Sequence, residues 1–242
     1  MPPKMSLWDL FWSMVDRPGA ALANVVAYPR WRWLLPVGVM MAAVAASLAL
    51  TAPLLTIQTR QLLAEQMAQL PAEQASLLAP QLEQMQTTPV VVGSAAVSSA
   101  IGLLLGWLFQ AVALYFGILI AGGELEFKRV LAAVPWLSLP FALEMVLQAV
   151  FAATQGYLVV NQGLSYLVSV GKPTEDMRNL LYVLLAQLTL FRLWHWILAY
   201  ALLRRAARLA GGTAASLTLV YAALGVGVQL ALVALSNMLS PQ

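Results

Sequence analysis

LLPVGVMMAAVAASLALTAPLLTI, residues 34–57, decides the fold. It holds no charged side chain, and at 1.5 Å of rise per residue about 20 such residues cross the hydrocarbon core of a bilayer. Working outward, four more stretches read the same way: 90–120, 130–153, 180–203 and 214–238. Inside lipid each backbone amide and carbonyl needs a partner from its own segment, so these stretches become helices. The chain is therefore expected to be an all-α integral membrane protein. It has five transmembrane helices, an N-terminal interfacial amphipathic helix and a helical outer loop. Residues 1–33 form the N-terminal segment and 34–242 the membrane domain, with the outer loop at 58–89.

Composition points the same way. Hydrophobic residues make up 61% of the 242 and charged residues 10%, well below the ~25% charged of soluble domains. The net charge of +3 does not form a nucleic-acid stripe, because most Lys and Arg sit singly or in short groups at span ends. Cysteine is absent, which excludes disulfides, thiolate catalysis and Cys-type metal sites. No cleavable signal peptide is visible, and the first span is expected to serve as an uncleaved insertion signal.

Charge also sets an expected orientation. Lys4, Arg17, Arg30, Arg32, Lys128, Arg129, Arg204, Arg205 and Arg208 fall on one side of the spans, against Arg60, Lys172 and Arg178 on the other. Positive residues favour the cytoplasm, so the N-terminus is expected inside and the C-terminus outside a cell membrane. Trp31 and Trp33 are placed as interface anchors. Residues 7–17 project Leu7, Trp8, Leu10, Phe11, Trp12, Met14 and Val15 onto one broad face, with Asp9, Ser13, Asp16 and Arg17 opposite. Such a helix is expected to lie in the interface and to stop at Pro18-Gly19, the alternative being packing on the bundle. The segment 58–89 reads either as a small helical cap or as a fraying extension of the first span. The segment 154–176 is expected to lie in the interface or dip back into the membrane, with Thr174, Glu175 and Asp176 starting the fourth span.

Three ionisable residues lie within the spans: Glu144, Arg192 and His195. Charges at that depth are costly and face the bundle interior with a partner. Counted from the same membrane face, Glu144 lies ~21 Å deep and Arg192 ~17 Å, close enough for an ion pair. Gln148 and Gln187 join this candidate polar layer, and Gln110 and Gln229 add polar groups in the second and fifth spans. The layer reads as structural or as a substrate, ion or proton path. Few spans, no internal repeat and no broken polar helix weigh against transport. Ser94, Ser98, Gly102 and Gly106, like Gly38, Ala42 and Ala46, form small-residue ridges that let a neighbouring helix come close. Packing within the bundle is the ordinary reading and a homodimer face the alternative. Gly122-Gly123 and Gly211-Gly212 look like helix stops rather than phosphate cradles. No metalloprotease, nucleophile-elbow or P-loop motif is present, so no enzyme, cofactor or metal is expected.

Several stretches resemble the prokaryotic branch of the Yip (Ypt/Rab-interacting protein) family of five-span membrane proteins. They are Arg17-Pro18 with the Trp31-Arg32-Trp33 approach, "LPAEQASLLAPQLEQM", "AGGELEFKRVLAAVPWLSLP" and "LWHWILAYALLRRAARLAGGTAASLTLVYAAL". The resemblance implies the topology already expected from charge and no catalytic residues. With it, the sequence suggests a non-enzymatic protein acting through association with lipid, other membrane proteins or itself, without nucleic acid. The alternative is a small transporter, channel or lipid-moving protein using the polar layer.

Overall fold

Every regular element among the described residues, 3–68 and 87–239, is helical in the structure, a computed structural model. In chain order they are α1 (Leu7–Asp16), α2 (Pro18–Ala27), α3 (Leu34–Ala68) and α4 (Thr88–Ile120). There follow α5 (Phe127–Leu137), α6 (Leu139–Gln155), α7 (Leu180–Ala186), α8 (Leu190–Ala201) and α9 (Gly211–Leu239). α3, α4, α5 with α6, and α9 are each long and apolar enough to cross a membrane. The fourth expected span is not one straight helix. It is the pair α7 and Leu190–Ala206, bent by 65° at a break of three residues, and counting it gives five spans. The chain is thus an all-α, multi-pass membrane protein.

The chain divides into two compact units, residues 1–40, 106–141 and 160–242 in the first and 41–105 with 142–159 in the second. In the second unit the Thr51 and Thr56 hydroxyls donate back to the Ser47 and Ala52 carbonyls, at 2.7 and 2.9 Å. That removes their polar cost inside an apolar helix. α3 runs unbroken to Ala68, which favours the extension reading for 58–68. Most of the expected outer loop, 69–86, lies outside the described residues.

The N-terminal region of the first unit holds more structure than expected. Ser6 caps α1 by accepting from the Asp9 amide at 3.1 Å, and α1 ends at Asp16. Pro18 stops that helix, as expected, and also starts a second one, because at the first helical position its missing N–H costs nothing. α2 is apolar and packs between α1, α5 and the end of α8. Its one strongly polar residue, Asn24, is 0% exposed. The Asn24 Nδ2 donates to the Pro3 carbonyl at 2.6 Å, and its Oδ1 accepts from the Met5 amide at 3.2 Å and from Arg32. Arg32, 6% exposed, also donates to the Asn24 carbonyl at 3.2 Å and to the Met5 carbonyl at 2.6 Å. So Arg32 is turned inward between two outward tryptophans, Trp31 and Trp33, and locks the N-terminal segment.

The segment after α6 has Gly156, Gly163 and Gly171 at positive φ and a tight turn at Ser165–Leu167. Thr174, Glu175 and Asp176 do not start the fourth span. Pro173–Asp176 is a separate turn, and α7 begins after Asn179, whose side chain caps the Leu181 and Tyr182 amides. Asp176 is buried and accepts from the Ser169 hydroxyl at 2.6 Å and the Val170 amide at 2.8 Å. The Ser169 bond first, then the Val170 amide, holds its carboxyl below the usual range. Gly163 packs on the α7–α8 break: a Cβ there would meet the Leu188 and Leu185 carbonyl oxygens at 2.8 and 2.9 Å. Its φ of +55° adds strain for any other residue. Gly163→Ala is expected to lower stability by about 1–3 kcal/mol, read as an earlier thermal unfolding in detergent.

Both small-residue ridges are exposed. Gly38, Ala42, Ala46, Ser94, Ser98 and Gly102 all face outward, and a Cβ on Gly38, Gly102 or Gly106 would touch nothing within 4 Å. α3 instead buries Met40, Ala43 and Val44, and α4 buries Trp107, Ala111, Leu114 and Ile118. Met40, Trp107, Leu114 and Ile118 supply most of that buried volume.

Candidate functional site in the membrane layer

The site starts from a helix interruption. Pro140 has no amide to offer, and the Phe141 amide turns to the Ser138 carbonyl at 2.9 Å, so α5 and α6 meet at Ser138. The regular helical acceptor for Phe141 would be the Leu137 carbonyl. Freed of that duty, the Leu137 oxygen lies 2.7 Å from Nδ1 of His195 on α8. Ser138, also buried, accepts from the Trp107 indole at 3.0 Å. His195 is 4% exposed, and its Nε2 lies 2.8 Å from the Tyr221 hydroxyl on α9. That hydroxyl in turn lies 3.0 Å from the Gln110 side-chain amide on α4.

Hydrogen counting ties the sense of this chain to the charge of the ring. The Leu137 carbonyl only accepts, so Nδ1 carries a proton. With a neutral ring, Nε2 accepts from Tyr221, whose oxygen then accepts from the Gln110 amide nitrogen. A charged ring reverses both later bonds: Nε2 donates to Tyr221, and Tyr221 donates to the Gln110 oxygen. The heavy atoms fit either sense with a flip of the Gln110 amide.

Arg192 sits one turn before His195. Its backbone amide donates to the Thr189 hydroxyl at 3.1 Å, so Thr189 caps α8. Its guanidinium lies 5.7 Å from the Phe141 ring centre, and Phe141 is 4.9 Å from the His195 ring. A cavity of about 220 Å³ opens here, lined by Arg192, His195, Tyr221, Gln110, Gln229 and Phe141 among others. Arg192, His195, Gln110 and Gln229 are therefore brought together. Gln187 is buried at the end of α7, where its Nε2 donates to the Val183 carbonyl at 3.3 Å and its Oε1 has no donor among the described residues. Glu144 and Gln148 are half-buried on the part of α6 that belongs to the second unit.

Tyr221, Ser138 and the Leu137 carbonyl were not singled out from sequence. The available signal was Pro140, which predicts freed carbonyls one turn earlier, and a lone Tyr in the last span. The fourth span is broken at Gln187, Leu188 and Thr189, between two apolar helices rather than by a strongly polar segment. No group of three or more metal-ligating side chains occurs among the described residues. No family model, curated protein or solved structure matches the chain.

Proposed function

We propose that the chain is a non-enzymatic integral membrane protein of the Yip type that acts by association with lipid or other membrane proteins. One observation carries it: α1 is docked on the bundle yet leaves an aromatic row open. Leu10 and Met14 are buried, whereas Trp8 is 68% and Trp12 54% exposed, with Leu7 and Val15 also outward. The apolar arc is broader than one contact needs, so it serves protein on one flank and bilayer on the other, with Asp9 and Asp16 toward water. Both sequence-based readings of α1, anchoring and packing, are combined in this arrangement. The orientation expected from charge puts α1 at the cytoplasmic face.

A second reading, transport, is favoured by the broken fourth span and the polar cavity. The two separate in proteoliposomes loaded with a pH-sensitive dye. Association without transport predicts proton and anion flux no faster than in protein-free liposomes. Flux that His195→Leu abolishes would replace it with transport. The Glu144–Arg192 pair is tested in detergent: if the layer is structural, each single Gln variant unfolds earlier and the double variant recovers much of the loss.

A further inference from the structure

A second, larger cavity of about 550 Å³ lies at the basic end of the first unit. Three arginines from two segments line it, Arg129 on α5 and Arg205 and Arg208 after α8, against one carboxylate, Glu124. The rest of its wall is largely apolar, including Val26 of α2 and Leu209. We propose that this cavity binds the phosphate-bearing head of an anionic amphiphile, with the arginines on the phosphate and the α2 wall along the first methylenes.

Local geometry is arranged to present these charges. After α8 the chain makes one π-helical turn, Leu202–Ala206, with the Ala207 amide on the Leu202 carbonyl at 3.1 Å. Such turns recur at functional sites. Arg208 then adopts a φ of +57°, the described residue other than glycine in the left-handed region. Arg204 takes the structural role, donating to the Leu209 carbonyl at 3.0 Å. Neither Arg205 nor Arg208 has a carboxylate partner among the described residues. Arg129 is partly held by Glu126, at 3.4 Å, yet its Nε is buried and donates to nothing among the described residues. Three guanidinium groups around one cavity, two of them without a carboxylate partner among the described residues, call for an anion; planar guanidinium groups match phosphate oxygens.

The Arg205 stem crosses directly over Gly19 of α2: a Cβ there would meet its Cγ at 2.6 Å. So the missing side chain at Gly19 leaves room for the stem of this arginine. Gly122 and Gly123 line the cavity too, but their amides already close the end of α4 on the Leu119 and Ile118 carbonyls. The first glycine pair is a helix stop, as expected. The second is corrected, because Gly211 and Gly212 begin α9. Anion recognition therefore falls to side chains rather than to a backbone nest.

This inference rests on the lipid-association reading and names its ligand class, and it fails separately from it. The test is calorimetry on the full chain in a neutral detergent with dihexanoyl phosphatidic acid, dihexanoyl phosphatidylcholine and inorganic phosphate. Expected is saturable binding of phosphatidic acid, weakened about tenfold or more by Arg205→Gln and by Arg208→Gly, and by raised salt. Arg208→Gly removes the charge while easing the backbone, so folding is retained; Lys4→Gln, a basic change elsewhere, leaves binding unchanged. Phosphate binding as tightly as phosphatidic acid would overturn the amphiphile and leave a small-anion site. Equal binding of phosphatidylcholine, or binding indifferent to both arginine variants, would overturn the site. A spin label at position 12 still in the lipid phase shows that the association reading survives such a failure.

Discussion

Asn24→Ala is expected to be among the most damaging single changes in the chain, costing about 2–5 kcal/mol, because three groups lose a hydrogen bond at about 1–3 kcal/mol for each left unsatisfied. The side chain removed is the one acceptor that a side chain supplies to Arg32 in this cluster, and it also holds the Met5 amide and the Pro3 carbonyl. Arg32 would keep the Asn24 and Met5 carbonyls but lose the contact that fixes its fork, and two backbone groups would lose theirs. The change is read from thermal unfolding in detergent, together with protease cleavage before α3. A paired change, Asn24→Leu with Arg32→Met, recovers much of the loss, since a packed apolar pair needs no hydrogen bonds. Single and paired variants of equal stability would show the cluster to be dispensable.

His195→Leu is the second large effect. It leaves the Leu137 carbonyl, already released by the break at Ser138, with no donor, and breaks the Tyr221 hydroxyl from the ring. The carbonyl left unsatisfied costs about 1–3 kcal/mol and the lost bond to Tyr221, which keeps Gln110, about 0.5–1.5, so the loss is on the order of 2–4 kcal/mol. Tyr221→Phe removes one of those bonds and is expected to cost about 1–2 kcal/mol. The ordering tests the chain of bonds: His195→Leu is the more severe, and combining it with Tyr221→Phe costs less than the sum because the two share a bond. Strict additivity would mean that His195 and Tyr221 act independently.

Much of the architecture was legible because lipid imposes one rule, length of apolar sequence, that a single chain displays openly. The five stretches were placed on that rule, and α1 on its amphipathic projection. The rest depended on signals that composition does not carry. α2 was hidden because Pro18 both ends one helix and starts the next. The fourth span breaks without glycine or proline at Gln187, Leu188 and Thr189; only the Thr189 cap marks it, and a threonine in an apolar run is ambiguous. The site was half legible. A search for ionisable residues found Arg192 and His195, but the groups that hold His195 are a freed carbonyl and a tyrosine, which such a search passes over. Small residues permit close packing but do not compel it, so the ridges alone do not name the surface they meet.

Because the natural sequence has no cysteine, a single introduced one can be labelled cleanly, and the proposed membrane contact of α1 can be measured position by position. Trp8→Cys, Trp12→Cys and Asp16→Cys, each carrying a nitroxide in lipid nanodiscs, are compared for collision with oxygen and with a water-soluble nickel chelate. Expected are labels at positions 8 and 12 that meet oxygen and exclude nickel, and a label at 16 that meets nickel. Nickel access at all three positions would place the aromatic row in water and contradict lipid association through α1.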